Sequence, residues 1–404
     1  PSPPPAAAPA PCQREAERRA FLAAARTSLG NPALLLSGGA ILGVYHFGVV
    51  KALLEMNMLP QVISGTSCGG VIAALVGTRQ DAELLQVLRD ATEHPETSDL
   101  YRELGSHGPL HSTLPQKLRR WLRNGRIFEW DDWQRHMQWF TLGLTFKEAY
   151  ERTGRVLNIT CTPIKSRGRS APPLMLNHID TPHVDIASAV CASACIPGLI
   201  QPVFLLEKGP DGQLRPYHQP DLPGEESRVF LRDGSFESDV PVHQIGAHFG
   251  MSFAIVVQVN PHIAPFYAHP LGRPGRPSGG RARTGAWRGG FLLGALEVLL
   301  KEDMIRHLRT IQALRLDWKF FGCDWSHLFL QQQNNSIAGV TITPDLHLSD
   351  YRDPIGNIPD PETLRRMLRG MERNTWEAAA LLRTHMRVEA ALAAAIAAVG
   401  ASAP

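Results

Sequence analysis

Ala33-Leu34-Leu35-Leu36 is an unbroken apolar run, the pattern of a strand buried on both faces of a parallel sheet. Glycines follow it, and Val44 to Met58 then repeats apolar side chains at helical spacing. Val62 to Ser64 is a second short run, stopped by Gly65, and Val71 to Val76 opens a second helical stretch. Strand, glycine loop, helix and strand make one βαβ unit, which places both loops at the carboxyl ends of neighbouring strands. Further along, Arg155 to Cys161 predicts a third strand, Val229-Phe230-Leu231 another, and Phe253 to Val259 the next. Thr145-Phe146-Lys147-Glu148 is a capping box. Thr181-Pro182 predicts a helix running to Ala194, with threonine as cap and proline in the first turn. Beyond Pro261 the pattern predicts a long helix over Phe291 to Phe320, a short strand at Thr341-Ile342-Thr343, and helix from Pro361 to Ala398.

Residues 13 to 29 carry mixed charge at helical spacing behind a leader that is almost all proline and alanine. Lys117 to Arg123 mixes cations with leucine and tryptophan, and Trp130, Trp133 and Trp139 follow. Such a segment suits either a lipid surface or a helix with a solvated basic face and buried tryptophans. Between Pro261 and Gly290, proline, glycine and five arginines occur without an acid. That is a basic loop, suited to anionic head groups or to plain solvation.

Composition narrows the picture. The 404 residues are 44% hydrophobic, enough for a sizeable core, and the net charge is only +3, which gives no ground for a nucleic-acid partner. The six cysteines contain no C-x-x-C pair, and several lie among apolar residues, as reduced thiols in a cytoplasmic protein would. No run of 18 apolar residues predicts a spanning helix. No His/Cys/Asp cluster has metal-ligand spacing, so neither metal nor cofactor is expected.

The candidate chemistry sits on the loops of the βαβ unit. Gly65-Thr66-Ser67-Cys68-Gly69 is G-x-S-x-G between a strand and a helix. Gly65 and Gly69 leave room for a tight turn that lifts the Ser67 hydroxyl clear of the sheet edge, and the following helix aims its positive end at the same spot. The loop Ser37-Gly38-Gly39-Ala40 faces it across a small gap, with amides placed to hold an oxyanion. A dinucleotide cradle would need an acid closing the second strand, where Ser64-Gly65 stands instead. Asp233-Gly234 ends a later strand as a second catalytic turn would, whereas Asp211-Gly212 lies among polar residues as a surface turn. A serine triad completed by His243, His248, His262 or His327 competes with a Ser67–Asp233 dyad, and His46 suits a structural role.

In combination and in this order, the S-G-G-A-x-x-G loop, the G-x-S-x-G elbow and the later D-G turn resemble the patatin-like lipid acyl hydrolases. The match runs from about Pro32 to Pro261, with Gly43 to Val49, Thr145 to Pro163 and Ala192 to Gly198 also similar to family sequence. Ser37 stands where the family commonly has glycine. The region after Pro261 resembles the oil-body triacylglycerol lipases of the sugar-dependent type, which usually carry a further amino-terminal domain. Here little chain precedes the first strand, so that domain is expected to be missing or removed.

The resemblance implies an α/β fold, a three-layer α/β/α sandwich with a mainly parallel central sheet and a helical carboxy-terminal extension. The expected division is a leader and surface helix at 1–30, the catalytic domain at 31–262, the basic loop at 263–290 and a helical region at 291–404. It implies a dyad of Ser67 and Asp233, an oxyanion hole from Gly38, Gly39 and Ala40, and no metal. Substrates would be acyl esters of triacylglycerol or phospholipid, at a lipid-droplet or membrane surface bound peripherally. Triacylglycerol lipase, phospholipase or lysophospholipase, and acyltransferase stay open. His94 to Asp99 matches an acyltransferase H-x4-D pattern but lies in a polar stretch.

Overall fold

The computed structural model describes residues 11–105, 114–124, 130–163, 173–196, 203–218, 230–236, 239–261, 338–353 and 356–401, with a few positions between 296 and 324. The proline-alanine leader, the basic loop and nearly all of the helix expected over 291–320 lie outside the described residues.

Seven strands form the central sheet: β1 (Asn31–Leu36), β2 (Val62–Thr66), β3 (Val156–Pro163), β4 (Leu174–Leu176), β5 (Leu231–Asp233), β6 (Met251–Val257) and β7 (Ala338–Ile342). Their order is β7-β6-β1-β2-β3-β4, all parallel except β4 and β5, which run antiparallel to β3. The apolar runs read from the sequence are these parallel strands, buried on both faces as their lack of alternation requires.

Helices cover both faces. In chain order they are α1 (Pro11–Leu29), α2 (His46–Glu55), α3 (Cys68–Thr78), α4 (Asp81–Glu93), α5 (Asp99–Leu104), α6 (Leu114–Asn124), α7 (Trp130–Thr141), α8 (Phe146–Thr153), α9 (Ile186–Ser193), α10 (Val242–Phe249), α11 (Pro361–Glu377) and α12 (Ala379–Ala401). Leu34 and Leu36 point into the larger core with side chains from α2, α3, α4, α7, α9 and α11. Ala33 and Leu35 point the other way, onto Val242 and Ile245 of α10.

Two helix expectations shift. The stretch from Val44 is entered through a 3-10 turn, Ala40–Tyr45, before α2 begins. Thr181-Pro182 does not open α9. The Asn177 side chain accepts the Ile179 and Asp180 amides, and Thr181 bonds back to Asn177, so 177–181 closes as a turn. Bridges from Val184 to Glu207 and from Asp185 to Thr145 keep the next residues extended. The helix begins after Asp185, whose carboxylate caps the Ser188 amide at 2.9 Å. The Thr145 capping box forms as its spacing requires.

β5 is placed by β3. Strand β2 pairs with β3 only as far as Thr66 opposite Thr160. Cys161, the next residue, pairs with Leu174 of β4 and with Asp233 of β5. Since β4 holds one edge of β3, β5 lies on the edge that β2 has just left. The ends of β2 and β5 therefore abut, and Ser67 and Asp233 are the residues at that junction.

Candidate active site

Ser67 has φ 55° and ψ −127°, a strained conformation for a non-glycine residue, costing about 1–3 kcal/mol. Three contacts hold it. Its N–H donates to Ser193 Oγ at 2.8 Å, Ser193 Oγ donates to the Thr160 carbonyl at 2.7 Å, and the Gly70 N–H donates to the Ser67 carbonyl at 2.9 Å. The glycines around it are dictated by backbone. A Cβ on Gly65 would stand 2.2 Å from the Gly69 carbonyl oxygen, and one on Gly69 would stand 2.4 Å from that of Leu36.

The Ser67 hydroxyl lies close enough to the Asp233 carboxylate to favour its charged form, and both residues are buried. Burial pushes the Asp233 carboxyl up to about 6, against the nearby Ser67 hydroxyl and the hydrogen bond from the Ser235 N–H at 2.8 Å, both of which favour the charged form. Gly234 follows because a Cβ there would stand 2.4 Å from the Thr160 carbonyl oxygen. The other Asp-Gly pair, Asp211-Gly212, turns a surface hairpin between Leu206–Lys208 and Leu214–Pro216.

The first glycine loop lies over the same junction. Ser37 is pinned to the end of β6, its N–H donating to the Val257 carbonyl and its Oγ accepting the Val259 N–H. His46 donates from Nε2 to the Ser37 carbonyl at 2.9 Å, and burial lowers its pKa to about 4, so the ring is a neutral structural donor. Gly39 at φ 148° lies against Val259, where a Cβ would meet Cγ2 at 2.9 Å, and Ala40 has φ 52°. The Gly39 and Ala40 amides donate to no described protein group. Gly38 differs from expectation. Its N–H donates to Asp239 Oδ1 at 2.7 Å, although a Cβ on Gly38 would lie only 3.4 Å from Ser67 Cβ.

Ser193, Ser235, Asp239 and Asn260 belong to this cluster and were not singled out from the sequence. Ser193 lies inside the Ala192 to Gly198 segment. Asp239, six residues beyond Asp233, carried no spacing signal of its own.

Of the histidines of a possible triad, His248 lies far from Ser67. His243 and His248 sit on α10, and His248 lines a cavity with Gly30, Asn31 and Gly250 at the amino ends of β1 and β6, the end of the sheet remote from Ser67. His262 and His327 fall outside the described residues.

The family model described as patatin-like phospholipase matches residues 34–245. A patatin-like phospholipase domain-containing protein of Cryptococcus neoformans is 40% identical over 377 residues, 93% of this chain and 40% of the relative. One from Aspergillus niger is 40% identical over 367 residues, 91% of this chain and 45% of the relative. The chain thus spans less than half the length of these curated relatives. Among solved structures, human GIVD cytosolic phospholipase A2 aligns with 96% of this chain and 65% of its own at 13% identity and a TM-score of 0.43. VipD from Legionella pneumophila aligns with 88% of this chain and 67% of its own at 13% identity and a TM-score of 0.39. The family model runs from the middle of β1 to the middle of α10, hence over the elbow, the glycine loop and the Asp233 turn together, and this chain belongs to the patatin-like phospholipase family.

Proposed function

We propose that this chain is a serine lipid acyl hydrolase with Ser67 as nucleophile and Asp233 as its base. The observation that carries the reading is the closeness of a hydroxyl at a strained elbow to a buried carboxylate whose charged form it favours. Ser67 Oγ attacks the ester carbonyl carbon while Asp233 takes its proton. The resulting oxyanion is held by the Gly39 and Ala40 amides, beside the positive end of α3. Asp233 returns the proton to the departing alcohol, and water releases the acyl group by the same steps in reverse order. A carboxyl raised to about 6 suits this work, since it is ionised at neutral pH yet basic enough to accept a proton.

The substrate is the acyl ester of triacylglycerol, by the likeness of the region after Pro261 to oil-body lipases, and the relatives' phospholipase name makes glycerophospholipid the alternative. Binding is peripheral, at a lipid-droplet or membrane surface. Exposed apolar side chains near the site support this: Phe230 three residues before Asp233, and Phe204 with its ring centroid 6.4 Å from that of Phe230. Among the described residues no helix is long and apolar enough to cross a membrane.

The test is release of labelled fatty acid from triacylglycerol, phosphatidylcholine and lysophosphatidylcholine by the purified chain and by Ser67→Ala and Asp233→Asn. The expected result is hydrolysis by the parent chain, strongest on triacylglycerol, and a loss in each variant of at least about a thousandfold with the fold intact. Substantial residual hydrolysis in either variant overturns that residue's role.

A further inference from the structure

A second carboxylate is sealed into the site. Asp239 is 3% exposed, and both its oxygens are matched to donors: Oδ1 accepts the Gly38 N–H at 2.7 Å, and Oδ2 accepts the Asn260 side-chain amide at 2.6 Å. Asn260 is itself fixed, since its backbone N–H and its Nδ2 both donate to Gln258 Oε1, at 3.0 and 2.8 Å. Burying a carboxylate costs several kcal/mol unless its lone pairs are satisfied, so one placed here must be held by strong, directed donors. Its position has a consequence for the loop. Asp239 takes the Gly38 N–H, Ser37 is tied to Val257 and Val259, and Gly39 rests on Val259, so three successive residues are anchored. The amides next in line, those of Gly39 and Ala40, donate to no described group.

Resting on the reading of Ser67 as nucleophile, we propose that Asp239 is a positioning residue that holds the Gly38 amide away from the reacting carbonyl, and so presents Gly39 and Ala40 as the oxyanion donors. Gly38 is then a structural donor to Asp239. Asp239 touches neither substrate nor Ser67. Its effect falls on the transition state, where the oxyanion develops, and not on binding of the ester in its ground state.

The test is steady-state kinetics on a short-chain p-nitrophenyl ester with Asp239→Ala, Asp239→Asn, Asn260→Ala and Ser67→Ala, each checked for native circular dichroism. In Asp239→Ala, kcat is expected to fall about a hundredfold or more with KM within about threefold, the size of losing one oxyanion donor. Asp239→Asn keeps an oxygen for the Gly38 N–H and is expected to stay within about tenfold of the parent. Asn260→Ala frees the outer oxygen, and a loss in kcat of about tenfold at unchanged KM is expected, which carries the test should Asp239→Ala fail to fold. Full kcat in Asp239→Ala or in Asn260→Ala, or a loss confined to KM, overturns the positioning role. If Ser67→Ala also hydrolyses the ester at the parent rate, the catalytic reading falls, and the role of Asp239 with it. If Ser67→Ala is dead while Asp239→Ala is fully active, the positioning role alone falls.

Discussion

A carboxyl whose ordinary value is 3.8 stands at about 6 in Asp233 because burial removes the water that would stabilise its charge. This sets two pH dependences of opposite sense. As a base it must be ionised, so kcat is expected to rise with pH through about 6, the apparent value belonging jointly to Asp233 and its neighbour Asp239, also raised to about 6 by burial. For stability the sign reverses. The folded chain holds the proton more tightly than the unfolded one, so this group stabilises the fold fully below about pH 4, and that contribution is lost as pH rises through about 6. Above that, the ionised carboxylate costs on the order of 3 kcal/mol. Asp233→Asn, which carries no charge, should therefore raise the melting temperature relative to the parent more at pH 8 than at pH 5, while hydrolysis is lost. A difference in melting temperature that is the same at both pH values would show that Asp233 does not titrate as its burial requires. Ser67, Asp233 and the glycine loop were legible in the sequence because turn chemistry leaves local marks. Asp239 was not, since nothing in its spacing tells that a chain position 201 residues away from Gly38 meets that amide.

The elements that carry these residues were also legible, within two or three residues at each end, wherever apolar period and glycine agreed. The α9 start was misplaced because a threonine-proline pair is equally at home in a turn, and the Thr181 hydroxyl accepts the Asn177 N–H behind it instead of capping an amide ahead. What no period encodes is how close two elements lie. The 3-10 turn Ala40–Tyr45 presses on the first turn of α3 at Gly43, where a Cβ would come within 1.6 Å of Cys68 Sγ and 3.1 Å of Cys68 Cβ. The thiol is a flexible end, half-buried beside the Gly43 N–H, and desolvation raises its pKa to about 12, so packing, not reactivity, accounts for it. Gly43→Ala should destabilise by about 1–3 kcal/mol through overpacking, and Gly43→Ala combined with Cys68→Ala should recover most of that loss. Urea unfolding of the two single variants and the double decides it, since purely additive losses would place the clash elsewhere.

At the scale of the whole molecule, the question is what the segment beyond residue 338 does for a site made of residues 37 to 260. It completes the sheet, with β7 laid in register along β6, and it returns across α2 through α11. Polar contacts fasten it, among them Tyr45 donating to Asp350 at 2.7 Å and Lys51 pairing with Glu372 at 2.7 Å, while Arg366 pairs with Asp350 within the segment. The expected single helix from Pro361 to Ala398 is two, because α11 packs on α2 whereas α12 packs on α1, and an alanine-rich run gives no sign of such a change of partner. The decisive approach is at Gly48, in the first turn of α2. A Cβ there would stand 2.2 Å from the Leu368 carbonyl oxygen, 2.8 Å from the Glu372 N and 2.9 Å from Met371 Cβ, so two backbone atoms of α11 stand in its way and no side-chain rotation relieves it. Gly48→Ala ought to stabilise an isolated helix by about 1 kcal/mol, since glycine is the poorer helix former. Here it must instead push α11 off α2, loosening the Asp350 contact with Tyr45 and, through the 3-10 turn, the glycine loop beside Ser67. The expected outcome is a loss of at least about 2 kcal/mol in urea unfolding together with a fall in kcat at unchanged KM. A Gly48→Ala chain as stable and as active as the parent would mean that α11 does not brace the site.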